Sequence, residues 1–117
     1  MLTFEQSRQA LTEFADALPP AIFAGLNGGI VLLPDMVEDE HDLLILGEYH
    51  VDPDGLGRRV SIYYGSMVEC FFDLSPSEFK SELRHTLHHE LTHHLEDMAG
   101  DDSLGIQDEL DLQNYLT

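Results

Sequence analysis

Basic residues are scarce in this chain of 117: five lysines and arginines face 23 aspartates and glutamates, a formal charge of −18. Such a field repels phosphate backbones and anionic headgroups, which argues against nucleic acid and membrane surfaces as partners. Tryptophan is absent and cysteine occurs once, as Cys70, so neither an internal disulfide nor a cysteine zinc cluster is available. A lone Cys70 is expected to be a small buried hydrophobe. Long hydrophobic runs are also missing, and Met1-Leu2-Thr3-Phe4-Glu5-Gln6 has neither a basic leader nor an apolar stretch. A cytoplasmic protein without a membrane span is the expectation. No repeat or flexible linker interrupts the chain, and its 43% hydrophobic content suits a single core. One domain over 1–117 and one site follow.

Local signals divide the chain into elements. Thr3-Phe4-Glu5-Gln6 has the form of a capping box, and Phe4, Leu11, Phe14, Ala15 and Leu18 recur at helical spacing until Pro19-Pro20 stops them. Short apolar runs over 29–33 and 43–51 read as strands, and Asp52-Pro53-Asp54-Gly55-Leu56-Gly57 as a turn. That turn lacks the ligands and closing glutamate of a calcium loop. Val60, Ile62 and Tyr64 alternate with Ser61 and Tyr63, which predicts a half-buried strand at a sheet edge, with a short helix over 67–72 after it. Ser75-Pro76-Ser77-Glu78 is the clearest helix start: an N-cap, a proline at the first helical position and a glutamate to close the box. Phe79, Leu83, Leu87, Leu91 and Leu95 follow as one apolar stripe.

Seven histidines stand out against this background, and five of them fall in His85-Thr86-Leu87-His88-His89-Glu90-Leu91-Thr92-His93-His94. His89-Glu90-Leu91-Thr92-His93 is His-Glu-x-x-His, which puts two imidazoles about 40° apart on adjacent turns of one helix. Neutral imidazoles suit Zn²⁺, and Glu90, offset from them, can take a proton from a metal-bound water. His85 is a rival partner for His89, but only the 89/93 pair encloses a glutamate. His88 is expected in solvent, and His94, within the apolar sector, as a hydrogen-bonded core histidine. A catalytic zinc usually has a third protein ligand. Glu96 and Asp97 ride awkwardly on the same helix and are read as solvated or salt-bridging acids. The next glycine is Gly100, so the helix runs one further turn, and Asp101, Asp102 or Ser103 is expected to cap a final helix carrying Ile106 and Leu110. Asp101, Asp102, Asp108 and Glu109 are the candidates beyond the turn, with Asp108 in the first turn of a returning helix.

With Leu18-Pro19-Pro20, Leu46-Gly47-Glu48-Tyr49, Ile62-Tyr63-Tyr64 and the block from His89 to His94 in this order, the chain resembles the small bacterial zincin-like metallopeptidases. The resemblance implies a first helix, a short sheet, an active-site helix and a brief C-terminal segment. That family continues His-Glu-x-x-His-His-x-Gly-x-x-Asp, whereas here Glu96 replaces the glycine. If Gly105-Ile106-Gln107-Asp108 follows an insertion over 96–103, the resemblance gives Asp108 the third ligand role.

The sequence thus predicts an α+β zincin-like domain, a small sheet packed on the active-site helix between N- and C-terminal helices. It would bind one Zn²⁺ through His89, His93 and Asp108, with Glu90 as general base in peptide hydrolysis. A peptide substrate would lie along an edge strand, with Tyr63, Tyr64 or Tyr115 at the oxyanion. The alternative is a non-catalytic zinc-binding module that meets a protein partner.

Overall fold

A computed structural model of the chain describes residues 1–54, 57–100 and 105–117. The first helix, α1 (Phe4–Asp16), begins with the anticipated capping box: the Gln6 amide donates to Thr3 Oγ1 at 3.1 Å and the Thr3 amide to Gln6 Oε1 at 2.9 Å. A single 3₁₀ turn, Pro20–Phe23, begins on the second proline of the pair and places Ile22 in the core. The sheet comprises β1 (Ile30–Leu33), β4 (Gly47–Val51) and β5 (Arg58–Tyr63), while β2 (Val37–Glu38) and β3 (Leu44–Ile45) form a separate two-stranded piece. The apolar run over 43–51 is therefore two strands, broken at Leu46.

Strand order in the sheet is β1-β5-β4, with β1 parallel and β4 antiparallel to β5. This corrects the expected edge strand: Val60 to Tyr63 is central and buried on both faces, and β4 is an edge. Tyr64 belongs to the next element, α2 (Tyr64–Cys70), which begins where the strand ends. Alternation misleads here because Ser61 and the Tyr63 hydroxyl look like surface groups. Tyr63 Oη instead donates to Glu48 Oε1 at 2.7 Å, and burial, aided by that carboxylate, pushes the phenol up to about 12. Cys70 is a second correction: it is exposed at the end of α2.

One long helix, α3 (Pro76–Gly100), covers the sheet. Glu78 N donates to Ser75 Oγ at 3.2 Å and Ser75 N to Glu78 Oε1 at 3.1 Å, which fixes where it starts. Phe79, Leu83, Leu87, Leu91 and Leu95 are all buried against Val60, Ile62, Ala10 and Leu11, and truncating one such leucine to alanine costs about 2–5 kcal/mol. Contact with β4 is close because residue 47 has no side chain: a Cβ there would stand 3.0 Å from Thr86 Cγ2 and 3.1 Å from Ile62 Cδ1. The last helix, α4 (Ile106–Gln113), packs on α3. Its N-cap is Gly105, without a side-chain cap, rather than one of the three polar residues anticipated, which lie outside the described residues. Among the described residues no helix is long and apolar enough to cross a membrane.

A polar connection ties α3 to the β4–β5 hairpin. Tyr49 Oη donates to Asp97 Oδ2 at 2.7 Å and lies 2.9 Å from His94 Nδ1, while Arg58 Nε donates to the same Asp97 oxygen at 2.8 Å. On the far side of the ring, His94 Nε2 donates to the Ala24 carbonyl at 2.8 Å. Burial alone would raise Asp97, but the Arg58 and Tyr49 hydrogen bonds outweigh it and hold the carboxyl below its usual range. A depressed folded pKa contributes stability above the unfolded value of about 3.9, and that contribution is lost as pH falls through the folded pKa. Because Asp97 is a third exposed, Asp97→Asn should cost only about 1–2 kcal/mol at pH 7. Urea unfolding of both proteins from pH 7 downward should show the gap closing below about pH 4; a gap independent of pH would contradict this role for the carboxylate.

Candidate functional site

The centre of α3 carries the site because two of its faces are already committed. The leucine stripe faces the core and His94 faces Tyr49, which leaves His89 and His93 turned toward solvent. Their Nε2 atoms lie 3.3 Å apart with the rings nearly perpendicular. Two imidazoles on a tetrahedral zinc, each about 2.0–2.1 Å from it, have nitrogens about 3.3–3.4 Å apart. The spacing of the pair, within hydrogen-bond distance of each other, thus matches the separation of two imidazoles on such an ion. His93 Nδ1 faces Glu96 Oε1 at 3.9 Å, on the side where an outer carboxylate orients a ligating imidazole.

Glu90 sits one helical turn beyond Thr86, on the side brought close to β4 by Gly47. It is 6% exposed, and among the described residues its carboxylate takes part in no hydrogen bond. Burial raises its pKa; the nearby His89, His93 and His50 pull it down, and Glu48 pushes it up. A carboxylate desolvated beside two imidazoles, its pKa raised by burial, has the properties of a proton acceptor.

β4 contributes two residues that the sequence reading passed over. Glu48 and His50 share one side of the strand, and both act electrostatically on Glu90. His50 Nε2 is buried and has no hydrogen-bond partner, whereas buried polar groups are nearly always satisfied. An orphaned imidazole nitrogen near Glu90 is therefore a polar group that lacks its usual partner. The available signal was a histidine two residues from a glutamate in a strand, which means little until the strand is known to lie at the sheet edge.

The remaining candidates are placed as follows. His94 is fully buried and hydrogen-bonded, as anticipated. His88 departs from the solvated position anticipated for it: it is half-buried, and desolvation, then Arg84, lowers its pKa. Asp108 lies exposed in the first turn of α4, with Glu109 half-buried beside it. Among the described residues no three histidine, cysteine or acidic side chains stand together as a ready metal site, so Asp108 is not gathered with His89 and His93 in this conformation. Asp101 and Asp102 lie outside the described residues. Of the tyrosines, Tyr63 is engaged by Glu48 and Tyr64 donates to the Leu2 carbonyl at 2.6 Å. Tyr115 is exposed and lines a polar cleft of about 580 Å³ that runs along α3 past His85 and His88 to His89.

Desolvation disfavours the charged form of Glu90, and Glu90→Gln removes the charge at nearly constant shape. The metal-free variant should be more stable than the parent at pH 7 by about 1 kcal/mol, read as a higher melting temperature. A variant melting at or below the parent would mean that Glu90 holds structure in place.

No family model matches the chain and no curated protein matches it. Among solved structures it is similar to a conserved hypothetical protein of T. thermophilus, with 28% identity and a TM-score of 0.69 over 85% of this chain and 99% of that one. The description of that neighbour assigns it no activity, so the likeness speaks for a shared small α+β architecture.

Proposed function

We propose that the protein is a zincin-like metallopeptidase that holds one Zn²⁺ on His89 and His93 and uses Glu90 as general base. The observation that carries this reading is the 3.3 Å separation of the two Nε2 atoms with the buried Glu90 carboxylate on the next residue. Asp108 is the proposed third ligand, brought in by movement of α4, whose first turn it occupies. When bound, the ion would acidify water and polarise a peptide carbonyl.

The chain's own groups do the rest. A substrate strand pairs with the free edge of β4, whose backbone donors and acceptors hold it beside α3. Glu90 accepts a proton as water adds to the carbonyl carbon and returns it to the departing amine as the C–N bond breaks. Its raised pKa suits both halves of that transfer. His50 Nε2, without a partner in the protein, supplies a hydrogen bond to the substrate on the strand side.

Elemental mass spectrometry on the untagged protein, with a quenched fluorogenic peptide library as the activity assay, tests this. About one zinc per chain is predicted for the parent and for Glu90→Gln, and none for His93→Ala or Asp108→Ala. Glu90→Gln should lose at least about 100-fold in hydrolysis. Zinc retained in Asp108→Ala would move the third ligand to another carboxylate. Stoichiometric zinc with no hydrolysis in the parent would favour a non-catalytic zinc module, and no zinc in any form would discard the metal site.

A further inference from the structure

Across β5 from β4, β1 (Ile30–Leu33) forms the other edge of the sheet. The Val60 amide donates to the Gly29 carbonyl at 2.9 Å. Alternation along a parallel strand then directs Val31 and Leu33 to β5 and turns the backbone groups of Ile30 and Leu32 outward. All four residues are apolar, and no charge, proline or bulge within the strand closes this edge to another chain; its shortness alone limits pairing. Two adjoining hollows of about 370 and 380 Å³ lie between the edge and the end of α1. One is walled by Leu18, Pro20, Phe23 and Leu26, the other by Leu11, Thr12 and Leu32, while Ala15, Asp16 and Ile30 line both. Arg8, farther back along α1 in the second hollow, is held by Glu5. Asp16 is thus the charge set between the two. It closes α1, where the helix dipole is already negative, and no basic residue stands in the last turn. Among the described residues Asp16 makes no ion pair. A cation arriving along β1 would relieve both the carboxylate and the helix end.

We propose that the β1 edge receives an extended, basic segment of another protein as a further strand, with an apolar side chain in the Phe23 hollow and a lysine or arginine two residues along against Asp16. Side chains two apart on a strand point the same way and stand about 6.6–6.8 Å from each other, which suits two hollows that share a wall. Backbone pairing with Ile30 and Leu32 fixes the register, and the hollows select the side chains. Charge selects the kind of partner, because a chain of −18 draws in basic segments and repels acidic ones. A second copy is the wrong occupant: it brings the same −18, and its β1 holds no lysine or arginine to meet Asp16. This surface is independent of the peptidase reading, whose substrate strand lies on β4, across β5.

Selection of phage-displayed random decapeptides on the parent protein tests this, with EDTA present so that the proposed metal site plays no part. Enriched peptides should carry a lysine or arginine two residues from a large apolar side chain. Added as synthetic peptides to isotope-labelled protein, they should shift the NMR amide signals of Ile30, Leu32 and Asp16 and leave those of Glu48 and His50 in place. Asp16→Lys should weaken binding at least about 10-fold, and Asp16→Asn by a smaller factor. Asp16 is exposed and a lysine suits a helix end, so Asp16→Lys should melt no lower than the parent. A library that yields no binder, enriched peptides without a basic residue, binders that shift the β4 amides instead, or binding unchanged in Asp16→Lys would overturn the proposal. So would sedimentation of the parent as a dimer whose formation shifts the same β1 amides.

Discussion

The connection from Arg58 through Asp97 and Tyr49 to His94 and the Ala24 carbonyl is the constraint on which the site depends. Leucine packing can hold a helix on a sheet but tolerates rotation about the helix axis, because any side of a leucine is as apolar as another. Hydrogen bonds do not. The Ala24 carbonyl can only accept, which puts a proton on His94 Nε2 and leaves Nδ1 to share the Tyr49 hydroxyl with Asp97. With the ring held at both nitrogens, α3 has one rotational setting, and the residue before His94 is His93. Gly47 sets the approach on the same side, since a larger residue would force Thr86, and with it Glu90, away from β4. A network that looks merely structural therefore aims the two imidazoles and the carboxylate.

Charge is distributed to the same end. Acidic side chains in excess destabilise a compact state by mutual repulsion, and here most of the few bases are spent on individual carboxylates. Two groups beside α3 are less well served. Glu90 is desolvated, and His50, which acts on it electrostatically, keeps an orphaned nitrogen. Both are unfavourable in the isolated chain. In the proposed reading, bound ligands would supply the missing partners. A negative overall field also raises the local concentration of divalent cations around such a pair.

Sequence alone revealed what local chemistry dictates. The Ser75–Glu78 box and the stripe from Phe79 to Leu95 specify α3 almost completely, and the spacing of His89 and His93 brings their imidazoles together once the helix exists. His94 was legible too, because a histidine in an apolar sector needs partners. Whatever depends on neighbours distant in the chain was not. Ser61 and Tyr63 look like one solvated face until Glu48 arrives to receive the phenol, so the central strand reads as an edge. Cys70 is exposed because α2 ends there, which composition does not reveal. His50 gains meaning only from the strand edge on which it lies. Asp108 came from a family resemblance across an insertion, and the position of α4 in this conformation does not bring it to the pair.

The proposed function stands on His89 and His93 together gripping one metal ion. Zinc K-edge absorption spectroscopy of the protein loaded with one equivalent tests it directly, because multiple scattering from imidazole rings counts histidine ligands. Two imidazoles at about 2.0–2.1 Å are expected, with oxygen donors completing the shell, and loss of one imidazole in His93→Ala. A shell made of oxygen alone, or three or more imidazoles recruited from the other histidines of α3, would contradict it.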